Sequence, residues 1–161
     1  MVVAGFDRYD LYNTPIADGA TFTIWFAGCT HGCKGCQNTV LWDKSHGTHF
    51  TSEELLELVL TETQKTNIKS VTLLGGEPLQ QDISELSALC AELNLVGKTI
   101  WVYTGYTYDE AREIAPQIFE FIDYIKCGKY EEELRQGDGS FPITPNQELW
   151  HNNGGNWVRI K

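Results

Sequence analysis

"TFTIWFAGCTHGCKGCQN", residues 21–38, joins an alternating run to three of the chain's five cysteines. Phe22, Ile24 and Phe26 share one face of the run and Thr21, Thr23 and Trp25 the other, which is the period of a β-strand. The strand runs straight into Gly28-Cys29, so the cysteines lie just beyond its carboxyl end. The fold class then depends on the pattern of residues 51–126.

Helix and strand patterns alternate over that range. "TSEELLELVLTETQKT" (51–66) opens with Thr51 and Glu54 at capping-box spacing and carries an apolar stripe of Leu55, Leu56, Val59 and Leu60. "KSVTLL" (69–74) reads as a strand ending in "GGEP", and "DISELSALCAELN" (82–94) puts Leu86, Leu89, Cys90 and Leu93 at helical spacing. "TIWVYT" (99–104) is a third strand. Thr107 and Glu110 repeat the capping box before "YDEAREIA" (108–115), Pro116 interrupts, and "FIDYIK" (121–126) makes a fourth strand. Such alternation predicts an α/β fold with mainly parallel strands joined by right-handed crossovers. Four units are too few for a closed eight-stranded barrel, so the expectation is an incomplete, open (β/α) barrel. The tail "QELWHNNGGNWVRIK" (147–161) reads as two short strands around an Asn-Asn-Gly-Gly turn, a C-terminal extension added at an edge.

The length, 161 residues, suits one domain spanning 1–161. Hydrophobic residues make up 42% and charged residues 21%, and no apolar run approaches the roughly 20 residues of a membrane helix. "MVVAGFDRYDLYN" at the start has no basic region followed by an apolar stretch, which points to the cytoplasm. Twelve basic against twenty-two acidic residues give a net charge of -10, a balance that repels nucleic-acid phosphates. An odd number of cysteines without a secretion signal favours reduced thiols used as ligands or nucleophiles over a disulfide framework.

Each predicted strand is followed by glycine: Gly28, then Gly75-Gly76, Gly105 and Gly128. In parallel α/β sheets the ligand sits at this carboxyl face, where glycine lets backbone groups approach it. Four glycine-bearing ends, one beside the cysteines, suggest one composite site. Cys29, Cys33 and Cys36 have the spacing Cys-x3-Cys-x2-Cys, which lets a short loop wrap three thiolates around a metal or an iron-sulfur cube. Zinc is the alternative, completed by His31, His46 or His49, although its usual spacing is two separated pairs. A cube held by three thiolates leaves one iron open, as catalysis requires.

"GCTHGCKGC" followed by "LLGGEPL" resembles the radical S-adenosylmethionine superfamily, and "CKGCQN", "GGEPL", "IWVYTGY", "GKY" and "NQELW" resemble within it the activating proteins of anaerobic, class III ribonucleotide reductases. The resemblance extends over nearly the whole chain and implies an open barrel of the radical S-adenosylmethionine type. It implies that Cys29, Cys33 and Cys36 hold three irons of one 4Fe-4S cluster while the fourth binds the amino and carboxylate groups of S-adenosylmethionine. Gly75, Gly76, Glu77 and Pro78 would contact the cofactor's amino group. Gly35, Cys36 and Gln37 would lie beside the adenine, and Thr104, Gly105 and Lys129 would face the methionine or ribose end. No side-chain acid or base is assigned. The implied chemistry is reductive cleavage to methionine and a 5'-deoxyadenosyl radical, which removes hydrogen from a glycine of the reductase's catalytic subunit; the open barrel edge suits a loop of such a protein substrate.

Departures from the family pattern are local. Cys127 stands where an aspartate usually helps bind a monovalent cation near the cofactor's carboxylate, and is read as buried core. Gln37 replaces a tyrosine, and "TPIADGA" (14–20) replaces a Gly-Pro-Gly turn. Lys34, Lys44 and three histidines between residues 29 and 50, with Asp43 the only acid, suggest a landing site for an acidic electron donor of the flavodoxin type. Two other readings stay open: a zinc-stabilised binding module, and a radical enzyme with a small-molecule substrate, such as a compact deazapurine synthase, or another glycyl-radical activase.

Overall fold

The computed structural model describes residues 1–13, 19–137, 141–142 and 144–161, so most of the 14–20 stretch lies outside the described residues. Its strands are β1 (Val2–Asp10), β2 (Thr21–Phe26), β3 (Thr48–His49), β4 (Ser70–Gly75), β5 (Thr99–Tyr103), β6 (Tyr124–Cys127), β7 (Glu148–Asn153) and β8 (Asn156–Arg159). Three helices, α1 (Ser52–Thr66), α2 (Ile83–Leu95) and α3 (Tyr108–Ile114), connect the later parallel strands. All eight strands form one sheet in the order β3-β1-β2-β4-β5-β6-β7-β8.

The four strands read from the sequence are its parallel centre: β2 pairs with β4, β4 with β5, and β5 with β6, all parallel. Antiparallel strands flank that centre on both sides, so the sheet is mixed and open. The β7–β8 hairpin turns at Gly154-Gly155, in agreement with the pattern of the tail. Strand β1 has no counterpart among the strands expected from the sequence. Its register on β2 shifts between Val3 and Gly5 and again between Asp7 and Asp10, and such bulges erase the two-residue period by which a strand is recognised. The fourth strand starts three residues later than the sequence suggests, because Pro116 opens a 3-10 turn that continues through Glu120.

Local chemistry explains the helix starts. Thr51 and Thr107 each accept from the backbone N–H three residues on, while Glu54 and Glu110 accept in return from the cap N–H groups. Both predicted capping boxes are therefore formed. Asp82 caps α2 alone, accepting from Glu85 N.

The two faces of the parallel strands differ in what they bury. Phe22, Ile24 and Phe26 of β2, Val71 and Leu73 of β4, Ile100 and Val102 of β5, and Ile125 and Cys127 of β6 join one apolar core with Leu55, Val59, Leu86, Leu89, Cys90 and Leu93 of the helices. This is the helix face. The alternate residues lie outside that core yet are not all solvated: Thr21, Thr23, Thr72 and Trp101 are fully buried. Thr21 and Thr72 share a hydrogen bond of 2.9 Å between hydroxyls, Thr23 donates to Asp10 at 2.7 Å, and Trp101 stacks on Tyr124 at 3.9 Å. The more polar face is thus a second interior, and its carboxyl end opens into the site. No helix among the described residues is long and apolar enough to cross a membrane.

Candidate active site

A cavity of about 690 Å³ lies at the carboxyl ends of the parallel strands. Cys29, Cys33, Cys36, Gln37, Gly75, Gly76, Glu77, Thr104 and Gly105 all line it, so three glycine-bearing loops meet where the sequence placed them. Gly128 lines it as well. Gly35, Pro78 and Lys129 are not among its lining residues: Gly35 packs against the Glu132 carboxylate, Pro78 is buried in a 3-10 turn, and Lys129 lies past the end of β6. Lys126, the last residue of the fourth expected strand and not among the candidate site residues, lines the cavity instead.

The turn after β4 is bound tightly to its surroundings. Glu77 is 1% exposed, and its carboxylate accepts four hydrogen bonds: from His31 Nε2 at 2.9 Å, Gly105 N at 2.8 Å, Thr104 Oγ1 at 2.8 Å and Leu79 N at 3.0 Å. One buried carboxylate therefore ties the end of β5 and the cysteine loop to its own turn, and four donors satisfy a charge that would otherwise be costly to bury. His31 is held further by edge contact with the Tyr106 ring, 4.5 Å between centroids. Its Nε2 is thereby committed to Glu77.

Two glycines allow these elements to approach. Gly76 N donates to Phe26 O and Glu77 N to Gly28 O, each at 2.8 Å, and a Cβ on Gly76 would sit 2.6 Å from the Gly28 carbonyl oxygen. A Cβ on Gly105 would sit 2.5 Å from the His31 ring. Any side chain at either point would force the cysteine loop away from the strands.

The cysteine loop itself has little regular structure. Cys36 N donates to Cys33 O at 3.2 Å, and Asn38 N approaches Cys36 Sγ at 3.4 Å. The loop's ends are anchored where Gly28 N and Cys29 N donate to Leu41 O and Trp42 O. Burial pushes the Cys29 thiol up in pKa, and the nearby Glu77, Cys33 and Cys36 raise it further against a lowering hydrogen bond from the His31 backbone. All three cysteines border the same cavity. No three His, Cys, Asp or Glu side chains among the described residues converge as a site for a single metal ion. With His31 engaged by Glu77, the donor set fits a sulfur-ligated cluster with three protein thiolates better than a closed zinc site.

Strand parity separates two neighbours on β6. Lys126 pairs in register with Tyr103 and lines the site. Cys127 is buried in the helix-face core and lines a second cavity of about 350 Å³ with Tyr108, Glu148 and Trp150. Burial pushes its thiol well above the ordinary range. Lys34, expected to belong to a basic landing site, donates to Glu133 at 2.6 Å.

A family model described as a 4Fe-4S single cluster domain matches residues 17–150. Among relatives, a protein of Enterobacteria phage T4 is 33% identical over 151 residues, covering 92% of each chain. One from Salmonella typhimurium is 31% identical and one from Escherichia coli 30%, each over 147 residues that span 88% of this chain and 93% of the relative. All three carry the name anaerobic ribonucleoside-triphosphate reductase-activating protein. Among solved structures, QueE from Escherichia coli superposes with a TM-score of 0.56 at 19% identity, covering 66% of this chain and 53% of that one. That likeness concerns the fold.

Proposed function

This chain belongs to the family of anaerobic ribonucleoside-triphosphate reductase-activating proteins, built on a 4Fe-4S cluster domain, and from that premise we propose that it acts as a radical S-adenosylmethionine activase. Its protein substrate is the catalytic subunit of an anaerobic ribonucleotide reductase, on which it generates a glycyl radical. The observation that carries this reading is the meeting of Cys29, Cys33 and Cys36 with Gly75, Gly76, Thr104 and Gly105 around one cavity.

In this proposal Cys29, Cys33 and Cys36 hold the cluster through their thiolates. Bound by these thiolates, the cluster would supply the electron for reductive cleavage of S-adenosylmethionine, and the chemistry delivered to the reductase would be removal of a hydrogen atom from its glycine. The chain's own part is placement and exclusion of water. Gly75 and Gly76 offer backbone to the cofactor, with Glu77 fixing that backbone from behind. Gln37 and Cys36 border the adenine, and Thr104 and Gly105 the opposite end. Tyr12, 87% exposed at the cavity rim, together with Asn13, borders the entrance for the reductase's loop.

The same reading takes residues 1–161 as one activase domain working in the cytoplasm, where thiols stay reduced. A flavodoxin-type protein is the proposed electron donor. Anaerobic reconstitution with iron and sulfide, followed by assay for 5'-deoxyadenosine with and without the reductase, tests the proposal. A brown protein that forms 5'-deoxyadenosine and a glycyl radical on the reductase supports it; a colourless zinc protein, or turnover of a small molecule with no effect on the reductase, overturns it.

A further inference from the structure

The inner wall of the cavity carries a buried cation that the proposed function has not used. Lys126 is only 9% exposed, and neither a hydrogen bond nor an ion pair joins its ammonium to any described residue. Its Nζ lies 5.0 Å from the centre of the Tyr103 ring and 5.8 Å from that of Phe141, both of which also line the cavity. Aromatic faces compensate part of the cost of burying an ammonium, but less than a carboxylate would. The buried carboxylate of the same cavity, Glu77, already accepts four hydrogen bonds elsewhere. Burial lowers the Lys126 pKa to about 8, which leaves the group charged at neutral pH.

A positive charge in an enclosed wall discriminates among the parts of a ligand. S-adenosylmethionine carries two positive groups, its sulfonium and its ammonium, and one negative group, its carboxylate. Lys126 repels the first two and attracts the third. We infer that Lys126 is the carboxylate-recognition residue of this cavity: its ammonium pairs with the carboxylate of S-adenosylmethionine and turns that end of the molecule toward β5 and β6. The inference rests on the proposed activase function. Its neighbour Cys127 cannot serve this purpose, because strand parity places it in the helix-face core. The pairing also supplies locally the positive charge for which a bound monovalent cation would otherwise be needed.

The test uses the reconstituted holoprotein, with binding measured anaerobically for S-adenosylmethionine and for its decarboxylated analogue, S-adenosyl-3-methylthiopropylamine. Lys126→Met should weaken S-adenosylmethionine about ten- to a hundredfold, the range for a hydrogen bond between charged groups, while leaving the analogue's affinity unchanged or improved. Cluster absorbance and reduction potential should stay at wild-type values, and the ligand-free variant should melt at a higher temperature, since an unpaired buried charge has been removed. Lys126→Gln provides the same comparison should the methionine variant fail to fold. Equal losses for both molecules, or no loss for either, overturn the inference. So does a shifted potential with unchanged affinity, which would mean that the charge acts on the cluster. If the wild-type protein makes 5'-deoxyadenosine and the variants bind both molecules as it does, only this inference falls; if the wild type binds neither molecule, the functional reading falls with it.

Discussion

Two sides of the same cavity are built in opposite ways. On the side formed by the turn after β4, the buried charge of Glu77 is fully met by four donors, and Gly76 is pressed against the Gly28 backbone. On the other side stand the ammonium of Lys126, which no described residue pairs, and three thiols on a loop with little regular structure, met by no more than backbone N–H groups. The first arrangement serves folding, since every polar group is satisfied before anything binds. The second is costly in the free protein and is completed by what binds. Changes on the braced side should therefore destabilise the chain, whereas changes on the open side should remove ligands and leave the fold intact or firmer.

The largest expected effect lies on the open side. Cys29→Ala, Cys33→Ala and Cys36→Ala should each lose the 4Fe-4S absorbance and all cleavage of S-adenosylmethionine, because a cube left with two protein thiolates is labile. Their circular dichroism and melting before reconstitution should match the wild type. Cys90→Ala, in the helix-face core, should retain the cluster while losing some stability. Full cluster content in any of the three single variants would break the contrast at its strongest point.

Glu77→Ala should do the reverse. It strands buried donors on His31, Thr104, Gly105 and Leu79, and a loss of about 3 kcal/mol or more results if even two of them stay unpaired. Denaturant melts of the unreconstituted protein measure this directly, without reference to activity. A variant as stable as the wild type would mean that the turn is not braced through this carboxylate.

Gly76→Ala sharpens the boundary between the two sides. The sequence suggests that bulk at this position weakens cofactor binding and spares the cluster. The contact with Gly28, 2.6 Å from the added Cβ, adds a second effect: the new methyl pushes directly on the start of the cysteine loop. Cluster yield and cofactor affinity should therefore fall together, at an overpacking cost of about 1–3 kcal/mol. Iron content and binding, measured on the same sample, separate the two expectations.

These cases show what was legible in the sequence. The parallel centre was readable because its strands carry clean alternation and its helices carry capping boxes at Thr51 and Thr107, both local signals. The cysteine spacing and the glycines after the strands are local too, and they brought most of the site together. Strand β1 was hidden by its bulges, and the engagement of His31 by Glu77 spans 46 residues, beyond any local pattern. Lys126 was legible in part. It stands one residue before Cys127, and parity alone places the two on opposite faces, but only the pairing of β6 with β5 shows which face is the site. The Lys34–Glu133 pair, whose members stand 99 positions apart, likewise left no trace in either segment.

Lys126 also gives the contrast a dependence on pH. Its folded pKa of about 8 lies below the ordinary lysine value of 10.5, so below about pH 8 both states bind the proton and the folded protein bears the full cost of the buried ammonium. Between the two values the folded chain releases the proton while the unfolded chain keeps it, and stability rises with pH across that window. The Tyr103 and Phe141 rings face the Lys126 ammonium, and the adjoining Cys127, on the opposite face of the strand, is kept neutral over most of the window by its raised pKa. The difference in stability between wild type and Lys126→Met should therefore shrink as pH rises from 8 to 10, in the ligand-free protein. A constant difference would mean that another group pairs with Lys126 in the folded chain and keeps its proton in place across the window.

The smallest effect is expected at the rim of the cysteine loop, where Lys34 and Glu133 form an exposed pair at 2.6 Å. Such pairs are screened by water and salt, so Lys34→Ala should leave the melting temperature unchanged. Their interest lies in docking. Along the sequence, Lys34 and Lys44 make the loop locally basic, but Glu133 and the adjoining Glu132 bring compensating charge to the same place. If an acidic flavodoxin-type donor docks here, removing Glu133 should help it more than removing Lys34 hinders it. Glu133→Ala is thus expected to raise the rate of cluster reduction by such a donor at low ionic strength, with the gain fading as salt is added and absent for a small neutral reductant. An unchanged rate at low salt would place the donor elsewhere, leaving the braced and open sides of the cavity as described.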